Sequence, residues 1–528
     1  MSKPVADVSS VVTLTEVGFS WPDGSTALAG VSGSFGTGRT GVVGVNGAGK
    51  STLLRLIAGE LACSTGRIAT AGEVAYLPQL LTLDVGASIA ELLGVAAQLA
   101  ALRAIERGDA DQAHFEVLGD DWDIETRADA ALRPIGLGSA DLDRRAGTLS
   151  GGEAMLVALT GLRLAAAPIT LLDEPTNNLD RVGRERLAQL VGSWPGTLIV
   201  ASHDTALLEQ MDSIAELYDG RLSSFGGPYS AWRAHLDAEQ AAARAAARTA
   251  EQVVKIEKRQ RVDAETKLAR RNRTAQVARQ NKRAPKIVMN QWGSNAQVSA
   301  GKLRGQLDGR VRDAQAESDA ASARVRHDEH IRVDLPDPDV PASRRLAELP
   351  GVDGPIIVAG PERIALDGPN GVGKTSLLEA LLSGAGGRLQ TDRVGYLPQR
   401  LDHLDDTVSA FDAVSAISGR EPRAVRAQLA RFLLDADCVG RPVGTLSGGE
   451  RFRVALAQLL LADPPPQLLL LDEPTNNLDL ASVDQLVDAL AGYRGAFIVV
   501  SHDDAFLARL GVTRTWAMPR RGELVDAG

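Results

Sequence analysis

Apolar positions in this chain follow two different rhythms. Short runs rich in branched and apolar residues, such as Val11–Leu14, Thr40–Val45, Thr170–Leu172 and Leu198–Ala201, alternate with longer stretches of helical spacing. Runs of that kind predict buried strands, and their alternation with helices predicts a parallel-sheet α/β domain. The rhythm holds to about Tyr229 and resumes near Val333, after the extended, proline-punctuated entry LPDPDVP. Between them the chain changes character. From Ala231 onward Ala, Glu, Arg and Lys dominate, with no Gly or Pro before Pro285, which predicts a long helix. Further along, Leu303, Leu307, Val311, Ala314, Ala321 and Val325 recur every three or four positions as one apolar seam. Ser318 takes the remaining slot, and Ala247, Ala250 and Val254 offer a poorer matching seam on the first helix. The pattern predicts α/β domains at 1–229 and 333–528 around an antiparallel helical hairpin at 230–332, joined through Pro285–Gly301. A first arm running from Ser230 to Ala275 would be roughly 70 Å long.

Composition narrows the classes without changing this picture. The 528 residues suffice for about three domains, and 44% hydrophobic content is ordinary for chains with real cores. No apolar stretch reaches the length of a membrane helix, and the opening MSKPVADVSS lacks the apolar core of a secretory signal. Cys63 and Cys438 lie in different halves with no CxxC or Cys/His pattern, so neither a disulfide nor a metal site is expected. A cytoplasmic protein without a membrane segment is the expectation. The net charge of −10 is unevenly spread: residues 266–304 hold ten Lys and Arg and no acid, which leaves −20 on the rest. An acidic body with one basic segment predicts a localised polyanion contact. That segment also holds Ile287, Val288, Met289 and Trp292, the apolar and stacking groups found at contacts with structured RNA. A solvated coiled coil whose tip packs on itself is the other reading of the same residues.

Five motifs occur twice, in the same order and about 300 residues apart. The first set is GVNGAGKS (44–51), YLPQ (76–79), LSGGE (149–153), LLDEPTNNLD (171–180) and SHD (202–204); the second is GPNGVGKT (368–375), YLPQ (396–399), LSGGE (446–450), LLDEPTNNLD (470–479) and SHD (501–503). In the GxxxxGK[ST] loops, Gly44, Asn46, Gly47 and Gly49, and Gly368, Asn370, Gly371 and Gly373, let backbone N–H groups wrap phosphates at a helix N-terminus. Lys50 and Lys374 bring positive charge to the β- and γ-phosphates of ATP, and Ser51 and Thr375 offer hydroxyl ligands to Mg²⁺. Asp173 and Asp472 end apolar strands and are placed to hold the metal shell. Glu174 and Glu473 follow them and can polarise an attacking water. Gln79 and Gln399 can bridge the metal and that water, and His203 and His502 can contact the γ-phosphate.

Carrying these motifs, the chain resembles the ATP-binding cassette superfamily over nearly all of residues 10–510, with LSGGE as the most specific mark. The resemblance implies that the two cassettes close head to tail within a monomer. Site one would then join Lys50, Ser51, Gln79, Glu174 and His203 to Ser447, Gly448 and Gly449. Site two would join Lys374, Thr375, Gln399, Glu473 and His502 to Ser150, Gly151 and Gly152. A serine hydroxyl and glycine amides at a helix N-terminus suit an oxyanion, so the physics agrees. Trp21 stands where the family places an aromatic that stacks on adenine; packing into the core is the plainer alternative.

The copies differ. No aromatic residue lies between Trp292 and Tyr396, and Leu346 to Gly368 spans 22 positions against 30 from Leu14 to Gly44. Leu156 occupies the slot of Arg453, and the first copy carries 23 extra residues around Leu102–Asp123, read as a short insertion. Binding at both sites with unequal turnover is the expectation.

Among twin-cassette branches without membrane spans, iron–sulfur and zinc variants need cysteines that this chain lacks. The chain is most similar to the ABC-F branch, whose cassettes are joined by a charged helical hairpin; both copies read PTNNLD where that branch has PTNHLD. The resemblance implies an ATPase that binds the ribosome near the exit-tRNA site, touching rRNA or tRNA through the basic linker 266–304. Either translation regulation or antibiotic resistance by ribosomal protection would fit. Two other readings stay open on residues alone: the ATPase subunit of a drug exporter with a separate membrane partner, and a non-ribosomal regulatory ATPase.

Overall fold

Strands that are apolar along their whole length need cover on both faces, and that requirement organises each half of the chain. The computed structural model describes residues 11–79, 86–177, 179–280, 286–326, 335–476 and 478–528; the side chains of 275, 276, 278–280, 286–297 and 300 lie outside the description. In the first half, Ile169–Asp173 and Thr197–Ala201 are buried at every position. They belong to a six-stranded sheet ordered Val74–Leu77, Ile169–Asp173, Thr197–Ala201, Arg39–Val43, Ser213–Tyr218 and Arg221–Gly226. All its neighbours pair in parallel except the last two strands. A smaller antiparallel sheet sets Val12–Ser20 between Thr26–Phe35 and Thr65–Thr70. Leu14, Val31, Phe35, Leu53 and Leu171 share one core that joins the two sheets.

The second half repeats this plan. Its six strands are ordered Val394–Leu397, Leu468–Asp472, Ala496–Val500, Arg363–Asp367, Arg514–Arg520 and Glu523–Asp526. Its small sheet sets Arg345–Gly351 between Gly354–Ala359 and Arg388–Leu389. In both halves the phosphate-loop strand lies centrally, beside a strand from much later in the chain. Ligands of such sheets bind outside the carboxyl ends of the strands, where both acidic motifs begin. The architecture is therefore the α/β class with two P-loop domains and a helical hairpin that the sequence predicts. The two cassettes pack as one compact unit, and Ser230–Asp328 forms another.

Within the hairpin, helices run from Tyr229 to Gln280 and from Lys286 to Ser322. The first has 52 residues, and is thus roughly 78 Å long. Side-chain ties fix the antiparallel sense. Gln240 accepts the Arg326 N–H at 2.7 Å, Lys258 donates to Gln315 at 3.4 Å, and Arg261 meets Asp308 at 3.0 Å, so one partner's number falls as the other's rises. Val254, Leu307, Ala314 and Ser318 are buried along the predicted seam, whereas Leu303 is 39% exposed. The joining segment expected at Pro285–Gly301 needs correction, because Lys286 to Gly301 is helical. After Pro285 that stretch contains no further proline, and its glycines cost a helix only about 1 kcal/mol each. Residues 281–285 and the tip side chains Ile287, Val288, Met289 and Trp292 lie outside the described set, as do the side chains of Arg279, Lys282, Arg283 and Lys286.

The extra residues of the first cassette form the end of helix Ala96–Glu106 and a short helix Gln112–Leu118. Arg103 ties them down through Asp143 at 2.8 Å and Glu125 at 3.4 Å. Helix Gly151–Ala165 also packs closely here: a Cβ on Gly161 would sit 2.6 Å from the Leu93 carbonyl oxygen. At the matching place in the second cassette, Gln458 instead donates to the Ala413 carbonyl at 2.8 Å. Gly161→Ala should therefore destabilise the first cassette by about 1–3 kcal/mol from overpacking, although alanine is the better helix former. A lower midpoint in urea denaturation followed by circular dichroism would show it; an unchanged or raised midpoint would refute the contact.

Candidate active site

The acidic motif ends a fully buried strand in each cassette, and the chain turns sharply at the residue that follows. Glu174 and Glu473 both adopt the left-handed backbone region, with φ 48° and 45°. Non-glycine residues pay a strain of about 1–3 kcal/mol there, and such strain concentrates at functional sites. The turn aims each carboxylate at the SHD histidine. His203 Nε2 lies 3.3 Å from Glu174, whose other oxygen accepts the His203 backbone N–H at 3.3 Å. His502 Nε2 lies 3.4 Å from Glu473. Burial dominates the electrostatics. It raises Glu174 well above the usual carboxylate range and lifts Glu473 to about 7. It also depresses His203 strongly and brings His502 down to about 4, so both imidazoles are neutral near pH 7.

The phosphate loops follow the central strands and open helices Lys50–Ile57 and Lys374–Ser383. Gly49 and Gly373 cap those helices at φ 95° and 105°, which an L side chain rarely adopts. Lys50 Nζ donates to the carbonyls of Gly44 at 2.8 Å and Val45 at 3.3 Å, and Lys374 to those of Gly368 at 2.6 Å and Pro369 at 3.1 Å. These bonds fold each lysine over its own loop. Lys374 also lies 3.2 Å from His502 Nε2, which is 3.1 Å from the Asn370 side-chain oxygen.

Ser51 donates to Asp173 at 3.1 Å, and the Tyr76 hydroxyl reaches the other carboxylate oxygen at 3.3 Å. Asp472 is fully buried at its strand end, and the Thr375 hydroxyl acts on its carboxylate as Ser51 does on Asp173. A buried carboxylate in that position calls for a cation. Among the described residues no group of three or more His, Cys, Asp and Glu could hold a metal alone. A buried carboxylate beside a phosphate-loop hydroxyl fits Mg²⁺, which takes one or two protein ligands and completes its shell with phosphate and water.

The signature motif is a capping box in both copies. The Ser150 hydroxyl accepts the Glu153 N–H at 3.2 Å while Glu153 accepts the Ser150 N–H at 2.8 Å; for Ser447 and Glu450 the values are 3.3 and 2.7 Å.

The structure gathers many of the predicted residues, but unequally. A cavity of 590 Å³ is lined by Trp21, Asn46, Gly47, Gly49, Lys50, Ser51, Gln79, Glu174 and His203 from the first cassette, together with Gly448 from the second. Trp21 also meets Phe19 edge-on at 4.9 Å. The other cavity, of 380 Å³, is lined by Asn370, Gly371, Gly373, Lys374, Thr375, Gln399, Asp472, Glu473 and His502, with Leu179 from the first cassette. Ser150, Gly151 and Gly152 are not among its lining residues, and neither is any aromatic side chain. Ser447 and Gly449 do not line the first cavity.

Sequence reasoning assigned no role to the last aspartate of LLDEPTNNLD. Asp479 caps its own helix by accepting the Ser482 N–H at 2.7 Å, and its second oxygen accepts the Asn46 N–H of the other cassette at 2.6 Å. Asp180 makes the mirrored pair with Gly183 at 2.8 Å and Asn370 at 3.4 Å. The only advance signal was an N-cap residue directly ahead of a helical stretch.

The family model described as ABC transporter matches residues 28–177 and 357–476, the segments that carry these loops. The chain is 33% identical to the tylosin resistance ATP-binding protein TlrC of Streptomyces fradiae, over 92% of its own length and 94% of TlrC. With that identity beside the family match, the chain belongs to the ABC-F family. It is 28% identical to the energy-dependent translational throttle protein EttA of Mycobacterium tuberculosis, over 89% of this chain and 85% of EttA. Its fold resembles the archaeal ribosome recycling factor aABCE1, crystallised with the stalk protein aP1. That match has a TM-score of 0.57 and 19% identity, covering 97% of this chain and 89% of the other. Like its relatives with ABC ATPase domains, this ABC-F protein binds and hydrolyses ATP. No helix among the described residues is long and apolar enough to cross a membrane.

Asp479→Ala and Asp180→Ala each remove a helix cap, but the first also breaks the shorter contact between cassettes. Losing a charged hydrogen bond of about 1.5–3 kcal/mol should lower ATP turnover roughly tenfold or more in Asp479→Ala. Asp180→Ala should lose clearly less. A phosphate-release assay on the two variants compares them directly, and equal losses would contradict the asymmetry.

Proposed function

We propose that this ABC-F protein acts on the ribosome with two ATP molecules held between its cassettes, and leaves after hydrolysing them. The observation that carries the reading is the hairpin. Its described basic side chains Lys267, Arg270, Arg271, Arg273, Lys302 and Arg304 are all exposed, on an otherwise acidic chain. Exposed cations in a run without acids attract a phosphate backbone, and rRNA or tRNA near the exit site is the proposed partner. The names of the relatives, one a resistance protein and one a translational throttle, support this choice of target.

In the proposed cycle Lys50 and Lys374 neutralise phosphate charge, and the loop amides of Asn46, Gly47, Asn370 and Gly371 orient it. Trp21 stacks on the base in site one. Ser447, Gly448 and Gly449 close site one, and Ser150, Gly151 and Gly152 close site two, by offering hydroxyl and amide donors to the γ-phosphate. Bound Mg²⁺ would supply charge neutralisation between the phosphates, held by Ser51, Asp173 and Gln79 in one site and by Thr375, Asp472 and Gln399 in the other. Glu174 and Glu473 accept a proton from the attacking water as the bond from the γ-phosphorus to the ADP oxygen breaks. His203 and His502, both neutral, hold the γ-phosphate in line. Nucleotide thereby biases a two-state switch between closed and open cassettes. The cassette pairing is intramolecular, so a monomer suffices. The proposed domain limits are 1–229, 230–332 and 333–528.

Glu174→Gln with Glu473→Gln should preserve closure and block release, so ATP-dependent pelleting with ribosomes should rise above wild type. Equal recovery of both proteins would overturn the cycle. Replacing Lys267, Arg270, Arg271 and Arg273 by Glu should abolish pelleting with ATPase activity retained. Susceptibility to a panel of large-subunit antibiotics, with and without the gene, separates drug protection from general translation control.

A further inference from the structure

Repeated motifs make the two cassettes look interchangeable, but the residues directly after LLDEPTNNLD do not repeat. The first copy continues Arg181-Val182-Gly183-Arg184 and the second Leu480-Ala481-Ser482-Val483. Both stretches open the helix that Asp180 or Asp479 caps, so the arginines and their apolar counterparts stand at matching places. Positions 181 and 184 are three apart and share a helix face.

The residues that face them differ too. The Arg181 guanidinium pairs with Asp504 and lies 3.4 Å from Asp367, both in the second cassette. The matching positions in the first cassette are Thr205 and Val43, which carry no charge. Asp367 in turn accepts the Gly368 N–H at 2.8 Å and lies 3.9 Å from His502 Nδ1, at the root of the second phosphate loop. Arg184 donates to Asp204 at 3.0 Å, where the carboxylate is only 9% exposed. Its charge also acts across the junction on Glu473, His502 and Asp503. Asp204 and Asp503 end the two SHD motifs, and Asp503 feels the negative charge of Asp204. Arg181, Arg184, Asp204, His502, Asp503 and Asp504 line one cavity of 170 Å³ between the cassettes. Val483, the apolar counterpart of Arg184, lines the first site's cavity together with Arg184, Asp204 and Asp503.

We propose that Arg181 and Arg184 form an electrostatic latch, supplied by the first cassette to the second ATP site, that positions Glu473 and His502 as the cassettes close. Closure brings Asp204 and Asp503 together, and one partly buried arginine offsets the repulsion between them. Removing one member of such a set leaves uncompensated buried charge, which costs far more than an exposed pair is worth. At the matching places of the second cassette, Leu480 and Val483 carry no charge, so that cassette offers no arginine pair in return. Both arginines are positioning residues.

The test measures ATP turnover of the full chain with one glutamate silenced at a time: Glu174→Gln reports the second site and Glu473→Gln the first. Adding Arg184→Val should lower kcat about tenfold in the Glu174→Gln background, with KM changing less, and should lower it distinctly less in the other. Raising KCl should slow the second site more than the first, and Arg181→Leu should remove most of that difference. Moving the charge, with Arg184→Val and Val483→Arg together, should transfer the salt-sensitive step to the first site. Arg181→Asp combined with Asp504→Arg should restore turnover that either change alone lowers. Equal losses at both sites, or a salt difference that survives every substitution, would overturn the latch. Arg181 and Asp504 are 48% and 64% exposed, so their charge swap tests the proposal even if Arg184→Val does not fold.

Discussion

An aspartate at the start of one helix serves two cassettes at once, and the active site depends on that double duty. One oxygen of Asp479 satisfies the first turn of its own helix; the other holds the Asn46 amide of the opposite phosphate loop. Helix starts leave backbone donors unpaired, so the cap is required for stability in each cassette alone. Its spare oxygen turns a local need into a tie between lobes. The geometry that brings Gly448 into the cavity of Lys50 and Glu174 follows from this contact and its looser counterpart at Asp180.

Burial explains why these sites can do chemistry. The central strands end in carboxylates that the sheet shields from water, and a strained turn fixes the next carboxylate against a neutral histidine. Electrostatic effects grow in such surroundings, which is why Lys50, Asp173, Glu174, Lys374, Asp472 and Glu473 are each shifted toward the neutral form. A nucleotide with its cation answers the charge that the buried Asp173 and Asp472 carry at the two strand ends.

The copies diverge where motif matching is blind. The first cavity has Trp21 and a residue from the opposite signature, whereas the second has neither. Leu156 is buried in the first signature helix, while Arg453 in its place reaches Gln485 at 3.5 Å. The shortened stretch before the second phosphate loop holds strands of seven and six residues, Arg345–Gly351 and Gly354–Ala359, against nine and ten in the first cassette. Inequality of this kind was legible at Trp21 and Arg453, because each breaks a repeat. It was not legible at Arg184, because an arginine on a helix surface reads as solvated until its neighbours are known.

Local rules were enough to determine the strands, the capping boxes, the phosphate-loop glycines and the seam through Val254, Leu307 and Ala314. Each arises from hydrogen bonds or periodic burial within a few residues, which a linear chain records directly. The extent of the second helix was misread, since proline marks where a helix cannot continue but not where the next one starts. Only tertiary structure decided which side chains tie the cassettes together: Asp479 with Asn46, and Arg181 with Asp367 and Asp504. Those pairs lie hundreds of residues apart along the chain. Their energies depend on distance and burial in space, which no periodicity encodes.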